Sequence, residues 1–194
     1  MNTYLSSSII FYNNKITTKL QETYGNIEIP VMMDWEDSLM SASAAYVTEG
    51  GGDILEIGFG MGISAGYMHS HSINSHTIVE NHPEIIPKAV EWASNKSNVT
   101  IISQSWYDVK DSLGTFDGVF YDTFEDENYK DFSSSLSTWT KSGTKVTFWN
   151  DDNGESNNHQ IQTSYQQINI TPPNSASVYF RNGNTTYYMP MKEF

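Results

Sequence analysis

An alternating run of glycines at the end of a short apolar stretch carries the clearest chemical signal in the sequence. Residues 54–57 are apolar apart from Glu56, and Gly58, Gly60 and Gly62 follow them. This pattern predicts a buried parallel strand that turns into a helix. Because glycine lacks a Cβ, the turn can adopt positive φ, and the N–H groups of the following helix can face a ligand. The spacing alone fits either a nucleotide-type site or only a tight turn in a core.

Two acidic residues stand at the ends of later apolar segments. Glu80 ends residues 75–80, about twenty residues beyond the glycines, where nucleotide-binding α/β folds place an acid for ribose hydroxyls. We expect this side chain to face solvent, with no structural duty of its own. Asp122 ends residues 116–122, a segment that is apolar on both faces. Both acids belong to one candidate site if these strands share a parallel sheet.

The order of the segments predicts such a sheet. Strand patterns at residues 54–57, 75–80, 99–103, 116–122 and 145–150 alternate with helical patterns, which is typical of α/β proteins with a mostly parallel sheet and helices on both faces. Ligands of such sheets bind beyond the carboxyl ends of the strands. The groups expected at that edge are the glycine turn, Glu80, Ser105, Trp106, Asp122 and Asn150.

The two ends of the chain depart from this alternation. Residues 1–25 are polar with scattered aromatics, and they predict an N-terminal arm or short helix outside a single domain at 26–194. After Pro30, a helical pattern runs through residues 32–46. The last part of the chain predicts an antiparallel hairpin. Its segments are residues 167–170, 178–180 and 186–189, with a turn at 182–183.

The composition excludes several classes of protein. The 194 residues fit one domain, and the lack of cysteine excludes disulfides and thiolate nucleophiles and fits a reducing, cytoplasmic location. The formal net charge of -13 opposes binding to nucleic acid and to anionic membranes, and it favours a cationic or neutral small ligand. We expect no signal peptide, no membrane span and no metal site, and either a monomer or a homodimer.

A Rossmann-like sheet can hold either a nicotinamide dinucleotide or S-adenosylmethionine. Ile63 occupies the position at which the G-x-G-x-x-G dinucleotide pattern requires its third glycine. Glu56 precedes the glycines, Trp106 offers a face for adenine, and the chain ends in a hairpin pattern in place of further βα units. These features favour S-adenosylmethionine, with S-adenosylhomocysteine as product. A dehydrogenase stays open as an alternative.

Four stretches resemble those of the guanidinoacetate N-methyltransferase family, to which the fungal enzymes that methylate the internal guanidino nitrogen of protein arginine are related. They are residues 30–36, 55–61, 78–80 and 116–123, and their V-M-x-x-W-E and F-D-G-x-x-Y-D-T motifs are not general methyltransferase features. The resemblance runs from about residue 26 to Asn150. It implies a class I methyltransferase fold that transfers a methyl group from S-adenosylmethionine to a nitrogen of a small guanidino or amine compound.

The resemblance also implies roles for individual residues. Glu36 and Asp122 match the two carboxylates that hold the guanidino group, whose forked N–H donors suit carboxylates. Asp122 is also the candidate base, because methyl transfer requires a proton to leave the attacking nitrogen. The implied cofactor site comprises Met32, Met40, Glu56, Gly58, Phe59, Gly60, Met61, Gly62, Ile63, Ser64, Glu80, Asn81, Ser105, Trp106 and Asp122. The acceptor site comprises Glu36, Asp122, Thr123, Asn150 and Asp151.

Several interpretations stay open. Trp106 can be a core aromatic, Tyr121 is expected only to pack, and residues 125–127 are expected to start a solvated helix. Residues 151–163 are a short polar loop where the family has a longer helical segment, so we expect a more cationic or larger acceptor than guanidinoacetate. Methylation of another class of acceptor, and cofactor binding without turnover, are the alternatives to the main prediction.

Overall fold

The part of the chain that the computed structural model describes comprises residues 4–20, 27–150, 154–174, 176, 180 and 183–194. It begins with a 3-10 helix at Tyr4–Ser6 and continues into a three-stranded antiparallel sheet. The strands of this small sheet are β1 (Ile9–Phe11), β2 (Lys15–Lys19) and β3 (Glu28–Met33), paired in that order.

This small sheet differs from the polar arm and early helix that the sequence predicts. Pro30 lies within β3 and pairs with Thr17, next to a register shift between Ile16 and Thr17. Proline lacks an N–H donor, but an edge strand with a bulge tolerates it, so it does not begin a helix here. After β3, helical structure begins at the 3-10 helix Asp34–Glu36. Residues 1–3 and 21–26 of the predicted arm lie outside the described residues.

The main sheet confirms the predicted mostly parallel architecture. In the described residues it has seven strands in the order β6-β5-β4-β7-β8-β10-β9. Strands β4 to β8 pair in parallel, and β10 pairs antiparallel with both β8 and β9. The strands are β4 (Asp53–Ile57), β5 (Ser75–Val79), β6 (Val99–Ile102), β7 (Phe116–Tyr121), β8 (Thr140–Phe148), β9 (Ser164–Asn169) and β10 (Thr186–Glu193).

Helices cover both faces of this sheet, as predicted. The helices are α1 (Asp37–Val47), α2 (Ile63–Ser70), α3 (Ile86–Ala93), α4 (Trp106–Val109) and α5 (Phe132–Trp139). One core layer packs α1, α2 and α3 against side chains such as Ile54, Ile78 and Phe120. Successive side chains of a strand point to opposite faces of the sheet. The opposite core layer therefore packs α4 and α5 against the alternate strand residues, such as Leu55 and Val119. Within the described ranges, no helix combines the length and apolarity needed to cross a membrane.

The predicted C-terminal hairpin is present as β9 and β10, which pair from Ser164 opposite Met191 to Asn169 opposite Thr186. Of the predicted strand at 178–180, residues 178 and 179 lie outside the described residues, as does Asn182 of the predicted turn. The fifth parallel strand is longer than predicted at its start and ends two residues before Asn150.

Candidate cofactor and acceptor site

The glycine turn between β4 and α2 has the backbone that its composition predicts. Gly58, Gly60 and Gly62 have φ values of 92°, 54° and 72°, in the left-handed region that favours glycine. The Gly58 N–H donates to the carbonyl of Val79 at 2.9 Å, which ties the turn to β5. A Cβ on Gly58 would lie 1.9 Å from the carbonyl oxygen of Asp122. The turn therefore brings the β4 backbone directly against the end of β7.

A cavity of about 500 Å³ opens beyond the carboxyl ends of β4, β5, β6 and β7. Ligand sites of open parallel sheets occur at this edge. The structure thus brings a large share of the predicted residues into one wall. Those that line the cavity are Met32, Gly58, Phe59, Gly60, Ser64, Glu80, Asn81, Ser105, Trp106, Asp122 and Thr123.

Glu80 lines this cavity, but it is buried, and the expectation that it faces solvent without a structural duty is wrong. Its Oε2 accepts from the N–H of Phe59 at 2.9 Å. Its Oε1 accepts from the N–H groups of Asn81 at 2.9 Å and His82 at 2.8 Å. Buried carboxylates require such donors. Glu80 therefore joins the glycine turn to the end of β5 in addition to presenting an acid to the cavity.

Asp122 lies at the tip of β7, half-buried at the cavity wall, and its N–H donates to the carbonyl of Ile57 at 2.9 Å. Glu56 pairs in register with Phe120, two residues before Asp122, so the two carboxyl groups lie on the same face of the sheet. Burial, followed by the nearby charge of Glu56, raises the pKa of Asp122 to about 7. A carboxyl group with that pKa can exchange a proton near neutral pH.

Glu56 lies beneath the glycine turn and is fully buried. Ser64 Oγ donates to its Oε1, and the Nε2 of His76 lies 2.8 Å from its Oε2. His76 is also fully buried. Glu56 therefore contacts the first turn of α2 and the neighbouring strand β5, and it acts on the cavity through its charge on Asp122.

The predicted facing pair of Glu36 and Asp122 is not brought together in the cavity wall. Among the described residues that line the cavity, Asp122 is present and Glu36 is not. Glu36 is buried at the entry to α1, where its Oε1 accepts from the N–H of Met33 at 2.8 Å. A two-carboxylate clamp stays a prediction.

The remaining predicted residues that the structure describes do not line the cavity. Met40 is a buried core residue of α1, and the Met61 N–H lies 3.2 Å from the sulfur of Met32. Gly62 and Ile63 form the start of α2. Asn150 is buried, and its backbone N–H lies 2.7 Å from the Tyr187 hydroxyl, so it ties β8 to β10. Asp151 lies outside the described residues.

Asp126 is a residue whose contacts the sequence interpretation missed. Glu125 and Glu127 are exposed, as a solvated segment predicts, but Asp126 is half-buried, and the next helical turn begins only at Tyr129. Its Oδ2 accepts from Trp106 Nε1 at 2.5 Å, from the Tyr121 hydroxyl at 2.6 Å and from Thr123 Oγ1 at 3.3 Å. Burial, followed by the nearby charge of Asp126, raises the pKa of Tyr121, whose hydroxyl therefore stays a donor. The short spacing after the F-D-G-x-x-Y-D-T motif was the only signal for this contact.

The N-terminal segment closes one side of the cavity. Tyr4, Leu5 and Leu20 line it together with the residues of the main sheet. The Tyr4 carbonyl lies 3.1 Å from His82 Nε2, and the Tyr4 ring meets Phe124 edge-on at 5.0 Å. Burial, followed by the charge of Glu80, raises the pKa of the Tyr4 hydroxyl, which stays protonated. The segment thus belongs structurally to the site.

The charge of the cavity wall is strongly negative. The described side chains that line it include carboxylates from three separate segments and no lysine, arginine or histidine. These acids are Glu80, Asp108, Asp122, Glu125, Asp126 and Glu127. A wall of this kind attracts cations and disfavours a ligand with an unpaired carboxylate.

The seven-stranded sheet, its antiparallel last strands and the glycine turn at its switch point define a class I methyltransferase fold. Among solved structures, the chain is similar to spermidine synthase from Thermotoga maritima (TM-score 0.64, 9% identity, 95% of this chain and 72% of that chain). It is also similar to the N-methyltransferase NodS from Bradyrhizobium japonicum (TM-score 0.59, 12% identity, 81% of this chain and 94% of that chain). These likenesses concern the fold.

The chain belongs to the guanidinoacetate N-methyltransferase family, whose family model matches residues 12–150. A curated relative is the protein arginine N-methyltransferase 2 of Aspergillus oryzae, 36% identical over 141 residues, which are 69% of this chain and 32% of that protein. This chain thus spans about a third of the length of that relative. Family membership confirms the prediction that the cofactor is S-adenosylmethionine.

Proposed function

We propose that this protein transfers a methyl group from S-adenosylmethionine to a nitrogen of a cationic guanidino or amine compound. The observation that carries the proposal is the Asp122 carboxyl group, which lies beside the glycine turn in an acidic cavity and has a pKa of about 7. Such a group can both attract a protonated acceptor and remove its proton.

The cavity wall fits the cofactor. A Cβ on Gly58 would overlap the Asp122 carbonyl and one on Gly60 would come 2.7 Å from the Met32 sulfur, so glycine lets the turn pack closely against two residues that line the cavity beside it. Glu80 would accept from the ribose hydroxyls, and Trp106 would lie beside the adenine. When bound, S-adenosylmethionine supplies a methyl group on a positively charged sulfur, which suits the acidic wall.

Asp122 would act on the acceptor as an anchor and then as a base. Ionised, it would accept N–H bonds from the guanidinium and orient one nitrogen toward the methyl group. A guanidinium is a poor nucleophile because its lone pairs are delocalised, so Asp122 would take the proton as the new N–C bond forms. The S–C bond breaks and its electron pair stays on sulfur, which gives S-adenosylhomocysteine as the leaving product.

The acceptor would be a small cation that has no carboxylate group. A carboxylate would need a basic partner, and the described cavity-lining side chains include no basic group. Agmatine has this chemistry, whereas guanidinoacetate would bring its own carboxylate toward Asp108, Glu125 and Glu127. A second candidate acceptor is arginine in a protein. The name of the curated relatives, protein arginine N-methyltransferase 2, favours it.

The N-terminal arm at 1–25 would cover the site of a methyltransferase domain at 26–194. The contacts of Tyr4, Leu5 and Leu20 with the cavity support this role. Ligands would then enter through the acidic side formed by residues 122–128. The absence of cysteine suits a reducing compartment, and we place the protein in the cytoplasm on that ground.

Calorimetric titration tests the proposal. The protein is titrated with S-adenosylmethionine alone and then in the presence of guanidinoacetate, arginine, agmatine or an arginine-containing peptide, and each mixture is examined by mass spectrometry. Agmatine is expected to gain one methyl group in preference to guanidinoacetate. Methylation of the peptide alone would support the protein substrate. Binding of the cofactor without product from any nitrogen acceptor would overturn the proposed acceptor class.

Substitution of Glu80 tests the ribose contact. Glu80→Ala is expected to weaken S-adenosylmethionine binding by about 1 to 3 kcal/mol, because ribose hydroxyls and three backbone N–H groups lose their acceptor. The dissociation constant, measured by calorimetry, should therefore rise roughly 5- to 150-fold. Glu91→Ala is the control, since Glu91 is an exposed acid on α3. An unchanged affinity in Glu80→Ala would remove this residue from the cofactor site.

A further inference from the structure

One carboxylate oxygen gathers three side-chain donors at the wall of the cavity. Asp126 Oδ2 accepts from Trp106 Nε1, from the Tyr121 hydroxyl and from Thr123 Oγ1 at 2.5, 2.6 and 3.3 Å. Asp126 Oδ1 accepts from the N–H of Asn128 at 2.8 Å. Hydrogen bonds to an ionised acceptor are stronger than those between neutral groups. Asp126 is therefore the centre of a bonded cluster.

Two donors of this cluster flank the proposed base in the sequence. Tyr121 and Thr123 are the two chain neighbours of Asp122, and both donate to Asp126. The backbone of Asp122 is held from the opposite side by its N–H bond to Ile57 at 2.9 Å. The direction of the Asp122 carboxyl group thus depends on contacts made on both sides of it.

The third donor connects the cluster to another strand. Trp106 begins α4 after β6, and its buried ring packs edge-on against Tyr121 at 5.8 Å. Trp106 also lines the part of the cavity where the adenine is proposed to bind. Asp126 therefore bonds to the adenine side of the wall and to the turn that carries the base.

The turn that presents Asp126 has an unusual backbone. Glu125 has a φ of 50°, one of two non-glycine residues with positive φ in the described residues. That conformation costs roughly 1 kcal/mol for a residue with a Cβ, so surrounding contacts must hold it. The four bonds to Asp126 supply such contacts immediately after the strained residue.

We propose that Asp126 is a positioning residue that fixes the Asp122 turn against Trp106, so that the base faces the methyl group when the adenine site is filled. This inference rests on the proposed methyltransferase function. Asp126 touches neither reacting atom and acts through Thr123, Tyr121 and Trp106. A misplacement of about 1 Å in a catalytic group can lower a rate about 100-fold.

Two substitutions separate positioning from charge. Asp126→Asn removes the charge but keeps an oxygen acceptor, whereas Asp126→Ala removes both. We expect kcat to fall about 30- to 100-fold in Asp126→Ala and less than about 5-fold in Asp126→Asn, with the cofactor dissociation constant and acceptor KM within about 3-fold in both. Asp131→Asn is the control, because Asp131 is an exposed acid in the same connection. Equal losses of kcat in the two Asp126 variants would overturn the positioning role, because they would show that the charge of Asp126 is what matters.

A second measurement requires no acceptor. Titration of the Asp122 carboxyl carbon by NMR in the intact protein should place its pKa at about 7 in the wild type and in Asp126→Asn. It should move toward the ordinary value in Asp126→Ala, because the turn opens to water. An unchanged titration in Asp126→Ala would overturn the proposal even if no acceptor is ever methylated. If the titrations are as expected but the wild type methylates no acceptor, only the proposed function is contradicted.

A double variant identifies the path of the effect. Thr123→Val removes one donor to Asp126 and nearly preserves the shape of the side chain. If Asp126 acts partly through this hydroxyl, the losses in kcat of Asp126→Ala and Thr123→Val should not multiply in the double variant. Multiplied losses would contradict a shared path through Thr123. Thermal denaturation of each variant gives the folded fraction to which every rate is normalised.

Discussion

Replacement of Asp122 by Asn is expected to lower kcat by about 100-fold or more, while the affinity for S-adenosylmethionine stays within a few-fold. The amide keeps the size of the side chain and one acceptor oxygen, so the acceptor can still bind. It cannot take the proton that leaves the attacking nitrogen. Steady-state kinetics with the acceptor that the wild type methylates give kcat, and calorimetry gives the cofactor affinity.

The pH dependence of this variant follows from the raised pKa of Asp122. Burial and the charge of Glu56 raise that pKa to about 7. A base acts in its ionised form, and this pKa is that of the protein without ligands, so wild-type kcat/KM should rise with pH up to about 7 and level off above it. Asp122→Asn should lose this rise along with most of its rate. A residual rate that still follows an ionisation near pH 7 would assign the base to another group.

The same raised pKa predicts that stability falls with rising pH, whereas activity rises. Between the ordinary value of 3.8 and about 7, the folded state holds a proton on Asp122 that the unfolded state has released. The free energy of unfolding should therefore fall with rising pH across this window, and Asp122→Asn should lack that part of the fall. Denaturant titrations at pH 4, 5.5 and 7 measure the difference. Asp131→Asn, at an exposed acid of the same connection, is measured beside it as the control.

The sequence is sufficient to predict the features that depend on patterns repeated along the chain. The alternation of strand and helix patterns predicts the parallel sheet, and glycines before a helix predict the ligand turn. Glu80 and Asp122 follow because both end strands whose carboxyl ends meet at one edge. These inferences depend on local pattern and on one topological rule, so they survive without knowledge of tertiary contacts.

The features that the sequence did not predict depend on partners distant in the chain. Strand β3 tolerates Pro30 because this residue pairs with Thr17, next to a bulge. Glu80 is buried because the Phe59 N–H, twenty-one residues away, requires an acceptor. Asp126 resembles any solvated acid until Trp106 folds against it from the end of β6. A polar residue gains a structural duty from its neighbours, and no local pattern encodes those neighbours.

The other large effect is expected at Gly58, where a single methyl group should disrupt both stability and cofactor binding. Gly58→Ala would place Cβ 1.9 Å from the Asp122 carbonyl oxygen, with the backbone at a φ of 92°. Overlap with backbone and an unfavourable φ each cost about 1 to 3 kcal/mol, so we expect a loss of about 2 to 6 kcal/mol in the free energy of unfolding. Chemical denaturation measures this loss.

Two other glycines of the same region give graded controls for that experiment. Gly60→Ala places Cβ 2.7 Å from the Met32 sulfur, the end of a flexible side chain that can move away, so its cost should be smaller. Gly66→Ala has no atom within 4 Å of its Cβ and lies inside α2, where alanine should stabilise the protein by about 0.5 to 1 kcal/mol. Equal stabilities for the Gly58 and Gly66 variants would contradict the close contact. If Gly58→Ala folds, its S-adenosylmethionine affinity and its Asp122 titration should both change, because the overlap displaces the turn that carries the base.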